Sequence, residues 1–254
     1  MNRLVLILVL ILLKTSVWAN TTGNTHIDSF ALAKKLLEKR VYTHIPRQTL
    51  YCQIDFDETK ATRLPNDFQS NGYKNRQNRI EWEHIVPAER FGGHLKAWHT
   101  GDEKCRTKNG TPYRERRCAE RVSQSYRLMH ADMYNLYPAV GAVNGARKNY
   151  AFSPFFKRIP PAFGACSVKI RSRRVEPPEF VRGIIARTYL YFEHAYHIPL
   201  LGPMKRKLMQ EWNTLYPVTA NECKRTFLIE QIQKNEQPFV KEPCLKAGLW
   251  PVTP

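Results

Sequence analysis

The stretch Ile80-Glu81-Trp82-Glu83-His84-Ile85-Val86-Pro87 decides how this chain is read. Its alternation from Arg79 to Val86 predicts a strand. Successive side chains on a strand point to opposite faces, so Glu81 and Glu83 share one face and His84 takes the other. A strand that twists or ends at His84 still brings Glu83 and His84 to one site. A carboxylate oxygen suits a hard cation such as Mg²⁺. A neutral imidazole, with a pKa of about 6.5, suits general-base work. A metal and a base together activate water against a phosphodiester. In isolation the same two residues more often form a salt bridge beside a core histidine, so a second segment has to support the reading.

That segment runs from Asp132-Met133-Tyr134-Asn135-Leu136-Tyr137-Pro138 through Val143-Asn144-Gly145-Ala146-Arg147-Lys148-Asn149-Tyr150. A short strand is expected over Asn135 to Tyr137, with Pro138 opening a helix from about Ala139 to Asn149. Gly141 and Gly145 weaken that helix by propensity. The amide oxygen of Asn144 is another hard ligand. Arg147 and Lys148 follow three and four residues on, so on a helix they share its face and offer cations to a phosphate.

The 254 residues carry 40 Lys and Arg against 22 Asp and Glu, a net charge of +18, and 43% are hydrophobic. That composition excludes a disordered, collagen-like or low-complexity chain. The charge points to a polyanionic partner. Arg3 precedes ten apolar residues, Leu4 to Leu13, too few to span a bilayer, and Val17-Trp18-Ala19 ends on a small residue. Residues 1–19 are therefore expected to be a signal peptide and residues 20–254 the exported domain, without stable membrane insertion. Cleavage removes two cations and no acid, leaving +16. All six cysteines lie in the exported part and no CxxC pair occurs, which favours three disulfides over zinc. Of fifteen connectivities, pairing neighbours gives Cys105–Cys118 and Cys223–Cys244 and leaves Cys52–Cys166.

Elsewhere, Asp28 is expected to cap a helix reaching about Arg40. Residues 91–118 read as a long basic loop, and 119–134 as a helix with Val122, Tyr126, Met129 and Met133 inward. Lys169, Arg171 and Arg173 alternate along 167–175, which on one strand sets three cations on a face. Helices are expected over about 179–196, 203–215 and 219–235, the last opened by the capping box Thr219-x-x-Glu222. No repeat or linker interrupts the chain, which favours one domain.

The two segments together resemble the endonuclease I family, exported non-specific nucleases of the His-Me finger (ββα-metal) superfamily. The resemblance rests on Ile80 to Ala88, Asn135-Leu136-Tyr137-Pro138-Ala139, Val143-Asn144-Gly145 and Arg147-x-Asn149-Tyr150. Arg187-Thr188-Tyr189 and Glu211-Trp212-Asn213-x-x-Tyr216-Pro217-Val218 extend it, and it spans about Tyr51 to Cys244. It implies an α+β, mostly helical, disulfide-bonded domain around a ββα-metal core. It implies His84 as general base, and Glu83 and Asn144 as ligands of one Mg²⁺, with Mn²⁺ or Ca²⁺ as alternative occupants. The family's product-phosphate arginine falls in the loop Thr100 to Arg106, where Lys104 and Arg106 are the candidates. His130 and Asp132 are nearest to an acid that the family carries, and neither is given a role. Arg147, Lys148, Lys169, Arg171 and Arg173 are the expected nucleic-acid contacts, to phosphates and not to bases. The expectation is a monomeric, periplasmic or extracellular endonuclease that cuts DNA without sequence preference and leaves 5′-phosphates. RNA is left open as a second substrate. The rival is a cationic DNA-binding or uptake protein without catalysis.

Overall fold

The computed structural model describes residues 23–70 and 72–251. The expected signal peptide lies outside the described residues. Ser29, not Asp28, caps the first helix, α1 (Phe30–Leu36): its Oγ accepts from the Leu32 amide at 3.3 Å. Asp28 pairs with Arg127 instead. The helix widens into a π-turn over Leu37–Val41 and buries Ala33, Leu37 and Val41.

Strand β1 (Ile80–His84) follows a long irregular segment. The segment expected as a basic loop, 91–118, takes in the end of α2 (Ala88–Gly92), all of α3 (Lys96–His99) and the start of α4 (Glu115–Val122). The helix expected over 119–134 breaks at Ser123, whose backbone is extended and whose Oγ caps α5 (Gln124–His130) by accepting from the Tyr126 amide at 3.2 Å. Tyr126, Met129 and Met133 point inward as their spacing predicts.

Strand β2 (Leu136–Val140) pairs antiparallel with β1, from Ile80 opposite Val140 to His84 opposite Leu136. Pro138 therefore sits inside a strand, opposite Trp82, and does not open the helix. The N–H and C=O of a strand residue point the same way. The Pro138 carbonyl accepts from the Leu50 amide at 2.7 Å, away from β1, so the missing N–H removes no bond from the ladder. Helix α6 starts at Gly141 and ends at Arg147, shorter than expected, with Lys148 beyond it at φ 53°.

Strand β5 (Arg174–Glu176) pairs parallel with β3 (Ala151–Phe152) and antiparallel with β4 (Lys169–Arg171). Ser172 and Arg173 form the β4–β5 turn with φ of 49° and 57°. Arg173 thus leaves the strand face that it was expected to share with Lys169 and Arg171.

Helices α7 (Glu179–Tyr196), α8 (Pro203–Leu215) and α9 (Ala220–Gln233) fall where periodicity and caps place them. Helix α10 (Pro238–Lys246), with Pro243 inside it, was not expected. Thr219 caps α9, but the Glu222 carboxylate does not complete a reciprocal box. It takes the fork of Arg187 at 2.7 Å for both bonds, each partner 2% exposed, and so joins α9 to α7.

The result is one α+β domain in which β1, β2 and α6 form a ββα unit against a helical body. The disulfides are Cys52–Cys166, Cys105–Cys118 and Cys223–Cys244, the expected pairing. Among the described residues no helix is long and apolar enough to cross a membrane.

Candidate active site

A cavity of about 430 Å³ opens where β1 ends, and Glu83, His84 and Asn144 all line it. Glu83 and His84 face it together because β1 stops at His84, so the strand's strict alternation ends there.

His84 is held on every side. Its Nε2 lies 2.9 Å from the carbonyl oxygen of His130. A carbonyl only accepts, so Nε2 carries the proton and Nδ1 is the basic nitrogen. The His130 ring stacks on that of His84 at 4.7 Å and 3°, and Phe30 packs at 5.1 Å. Burial, then the neighbouring His130, holds the imidazole well below its ordinary pKa, so it is neutral and able to take a proton.

Glu83 is 3% exposed. Tyr51 donates to its Oε1 at 2.8 Å, and Nη1 of Arg147 lies 3.0 Å from the same oxygen. Burial pushes the Glu83 carboxyl up, and Arg147 and Tyr51 pull against it. On the facing helix, Nδ2 of Asn144 donates to Glu81 at 2.8 Å. These bonds leave one hard oxygen on each residue, Oε2 of Glu83 and Oδ1 of Asn144. That donor set fits a divalent cation that keeps most of its waters. Glu83 and Asn144 line the same cavity and are the candidate centre; among the described residues no three His, Cys, Asp or Glu cluster as a metal site.

The cations separate into two kinds. Arg147, expected at the surface, is 1% exposed and donates to the carbonyls of His84 and Ile85 at 2.9 and 2.7 Å. It clamps the end of β1 onto α6 instead of offering itself to solvent. Lys148 is exposed and lines the cavity. Lys169 is engaged by Glu176 at 2.6 Å, while Arg171 stays exposed. Arg173 lines a second cavity of about 440 Å³ that adjoins the first at Glu89, Trp98 and Asn149, and the two adjoining cavities together make up the groove.

Neither Lys104 nor Arg106 lines this groove; Arg106 folds back onto the Gly110 carbonyl at 2.9 Å. The loop cation in the cavity is Arg116, near the start of α4, two residues before the cysteine that the disulfide ties to Cys105. Its charge acts on both Glu83 and His84. From the sequence, Arg116 falls within the Arg114–Arg127 stretch of cations expected to meet phosphates, but Lys104 and Arg106, not Arg116, are the candidates for this position. Tyr51, one residue before Cys52, was missed as well. Asp132 has a structural role: it accepts from Tyr191 at 2.7 Å, Tyr196 at 2.6 Å, Gln233 at 3.0 Å and the Tyr134 amide at 2.9 Å, which fixes the entry to β2.

The sequence pattern of the endonuclease I family matches residues 29–244. The chain belongs to the endonuclease I family. It is 37% identical over 227 residues to an extracellular deoxyribonuclease of Aeromonas hydrophila, covering 86% of this chain and 92% of that one. A periplasmic deoxyribonuclease of the same species is 37% identical over 225 residues, 85% of this chain and 87% of its own. Endonuclease-1 of Buchnera aphidicola subsp. Acyrthosiphon pisum is 35% identical over 227 residues, 87% of this chain and 83% of its own. The ββα unit carrying Glu83, His84 and Asn144 lies within the matched span.

Proposed function

We propose that this chain is an exported endonuclease, periplasmic or extracellular, that hydrolyses DNA without sequence preference and leaves 5′-phosphate ends. The reading is carried by the fixed tautomer of His84 in a cavity lined also by Glu83 and Asn144. Nδ1 of His84 takes the proton of the attacking water. Glu83 and Asn144 would hold one divalent cation through their remaining oxygens, Mg²⁺ in the first instance. When bound, that cation neutralises charge growing on the phosphate and on the departing 3′ oxygen. Arg147 keeps base and carboxylate in register by binding both the His84 carbonyl and the Glu83 side chain. Lys148 and Arg116 attract the phosphate at the cavity, and Arg173 extends the cationic path along the groove.

The test is nicking of supercoiled circular DNA by the oxidised mature protein, with Mg²⁺ and with chelator. Metal-dependent cutting of a closed circle is the expected result, and single-stranded RNA in the same assay measures the second substrate. Tight DNA binding without cutting under Mg²⁺, Mn²⁺ and Ca²⁺ makes the protein a DNA-binding factor instead.

Arg116→Ala is expected to lower kcat/KM on DNA by about 10²-fold, the usual cost of one preorganised charge-stabilising donor. Lys104→Ala and Arg106→Ala are expected to leave it near the wild-type value. Initial-rate kinetics on plasmid DNA distinguish the three.

A further inference from the structure

An asparagine side chain is a poor ligand until something decides which end of its amide faces the metal. The oxygen and nitrogen ends have nearly the same shape, and a half-turn about the last side-chain bond exchanges them. Only the oxygen binds a cation. We propose that Glu81, anchored by Arg76, is a positioning residue that fixes the amide of Asn144 with its oxygen available to the divalent cation. The inference rests on the assignment of Asn144 as a ligand.

The geometry is closed at each step. Nδ2 of Asn144 donates to Oε2 of Glu81 at 2.8 Å. An ionised carboxylate only accepts, so the amide end facing Glu81 has to be the nitrogen. Glu81 does not line the cavity, and its carboxylate is held from the other side. Nε of Arg76 donates to its Oε1 at 2.7 Å, and Nη2 of Arg76 pairs with Oε2, a two-pronged grip. Arg76 in turn lies over the ring of Tyr73 at 5.3 Å.

Helix α6 is shaped to admit this pair. A Cβ on Gly141 would sit 2.4 Å from the Arg76 carbonyl oxygen and 3.0 Å from Oε1 of Glu81. One on Gly145 would sit 2.6 Å from Nη1 of Arg76 and 2.9 Å from the Tyr73 ring. The two glycines flank Asn144 in the helix, three residues before it and one after. Each costs the helix about 1 kcal/mol relative to alanine. The glycines that weaken the sequence signal for α6 are the positions where Arg76 and Glu81 approach its backbone.

The experiment is Mn²⁺ binding to the oxidised mature protein, followed by the electron paramagnetic resonance of free Mn²⁺. Asn144→Ala is expected to weaken binding most. Glu81→Ala is expected to weaken it about 10–100-fold, as losses of groups that orient metal ligands do. Glu81→Gln, whose side-chain oxygen can still accept from Nδ2, is expected to recover most of that loss. The decisive comparison is in an Asn144→Asp background. An aspartate offers two equivalent oxygens and needs no orienting, so adding Glu81→Ala there is expected to cause no loss. A Glu81→Ala effect of equal size in both backgrounds overturns the proposal, because it reports lost charge or lost fold. So does a Glu81→Gln variant as weak as Glu81→Ala, or a Glu81→Ala variant that binds as wild type. If Asn144→Ala itself binds Mn²⁺ like wild type, the ligand assignment fails and not merely its orientation. Near-UV circular dichroism of each variant reports the fold independently of metal.

Discussion

Replacing His84 by alanine is expected to lower kcat on supercoiled DNA by about 10²–10⁴-fold, or about 3–5.5 kcal/mol of barrier. DNA affinity in the presence of chelator is expected to stay near the wild-type value. The separation follows from the division of roles. The cations facing the groove, Arg116, Lys148 and Arg173, lie on other elements and survive the substitution. What is lost is the proton acceptor, whose tautomer the His130 carbonyl sets. Burial holds the imidazole well below its ordinary pKa, so it stays unprotonated on the acid side of neutrality. The acid limb of kcat/KM in the wild type is therefore expected below about pH 6.5, the ordinary histidine value. Single-turnover cleavage and gel-shift titration measure the two quantities separately. Near-normal turnover of the alanine variant removes His84 from the role of base.

The parts of this site that could be read from the sequence are those fixed by local rules. Period-2 alternation gave β1, although it carried the strand to Val86 and set Glu83 and His84 on opposite faces; the end of the strand at His84 is what brings them to one cavity. Long-period apolar spacing and a Thr219 cap gave α7, α8 and α9. Cysteine order gave the disulfides. The parts that could not be read depend on what packs against what. Pro138 looks like a helix opener, and only the Leu50 contact shows that its missing N–H faces away from β1. Arg147 looks like a solvated helix cation, yet the end of β1 leaves backbone carbonyls that need a donor, and the guanidinium fills that need. Ser123 lies in an apolar period that runs straight through it, so the helix break there is set by its capping bond. Arg116 reaches the cavity from the start of α4, which the Cys105–Cys118 disulfide ties back to the preceding loop, and no spacing rule gives that placement.

The second large effect concerns acid stability and lies in His130. This residue is 2% exposed, is stacked between His84 and Tyr126, and has no partner for either ring nitrogen among the described residues. Burial, then the charges of Arg116 and Lys34, lowers its pKa to about 3. In the unfolded chain the value is about 6.5. Between those two values the unfolded state binds a proton that the folded state refuses. Stability contributed by the neutral ring is thus complete above about pH 6.5 and is lost as pH falls towards 3. At 1.36 kcal/mol per pH unit, the loss from about pH 6.5 to pH 4 is about 3 kcal/mol. His84 contributes with the same sign. Asp132 and Glu83, whose carboxyls burial pushes up, contribute with the opposite sign, so the total slope of the wild type mixes several groups. His130→Phe isolates the one that matters, since phenylalanine keeps a flat ring against His84 and carries nothing to protonate. Urea unfolding at pH 4, 5, 6 and 7 is expected to show the variant gaining on the wild type by about 3 kcal/mol from the top of that range to the bottom. Parallel curves would mean that the folded protein protonates His130 as readily as the unfolded chain does. A ring that open to water could not serve as the dry wall against His84, because a positive charge would then stack directly on the base.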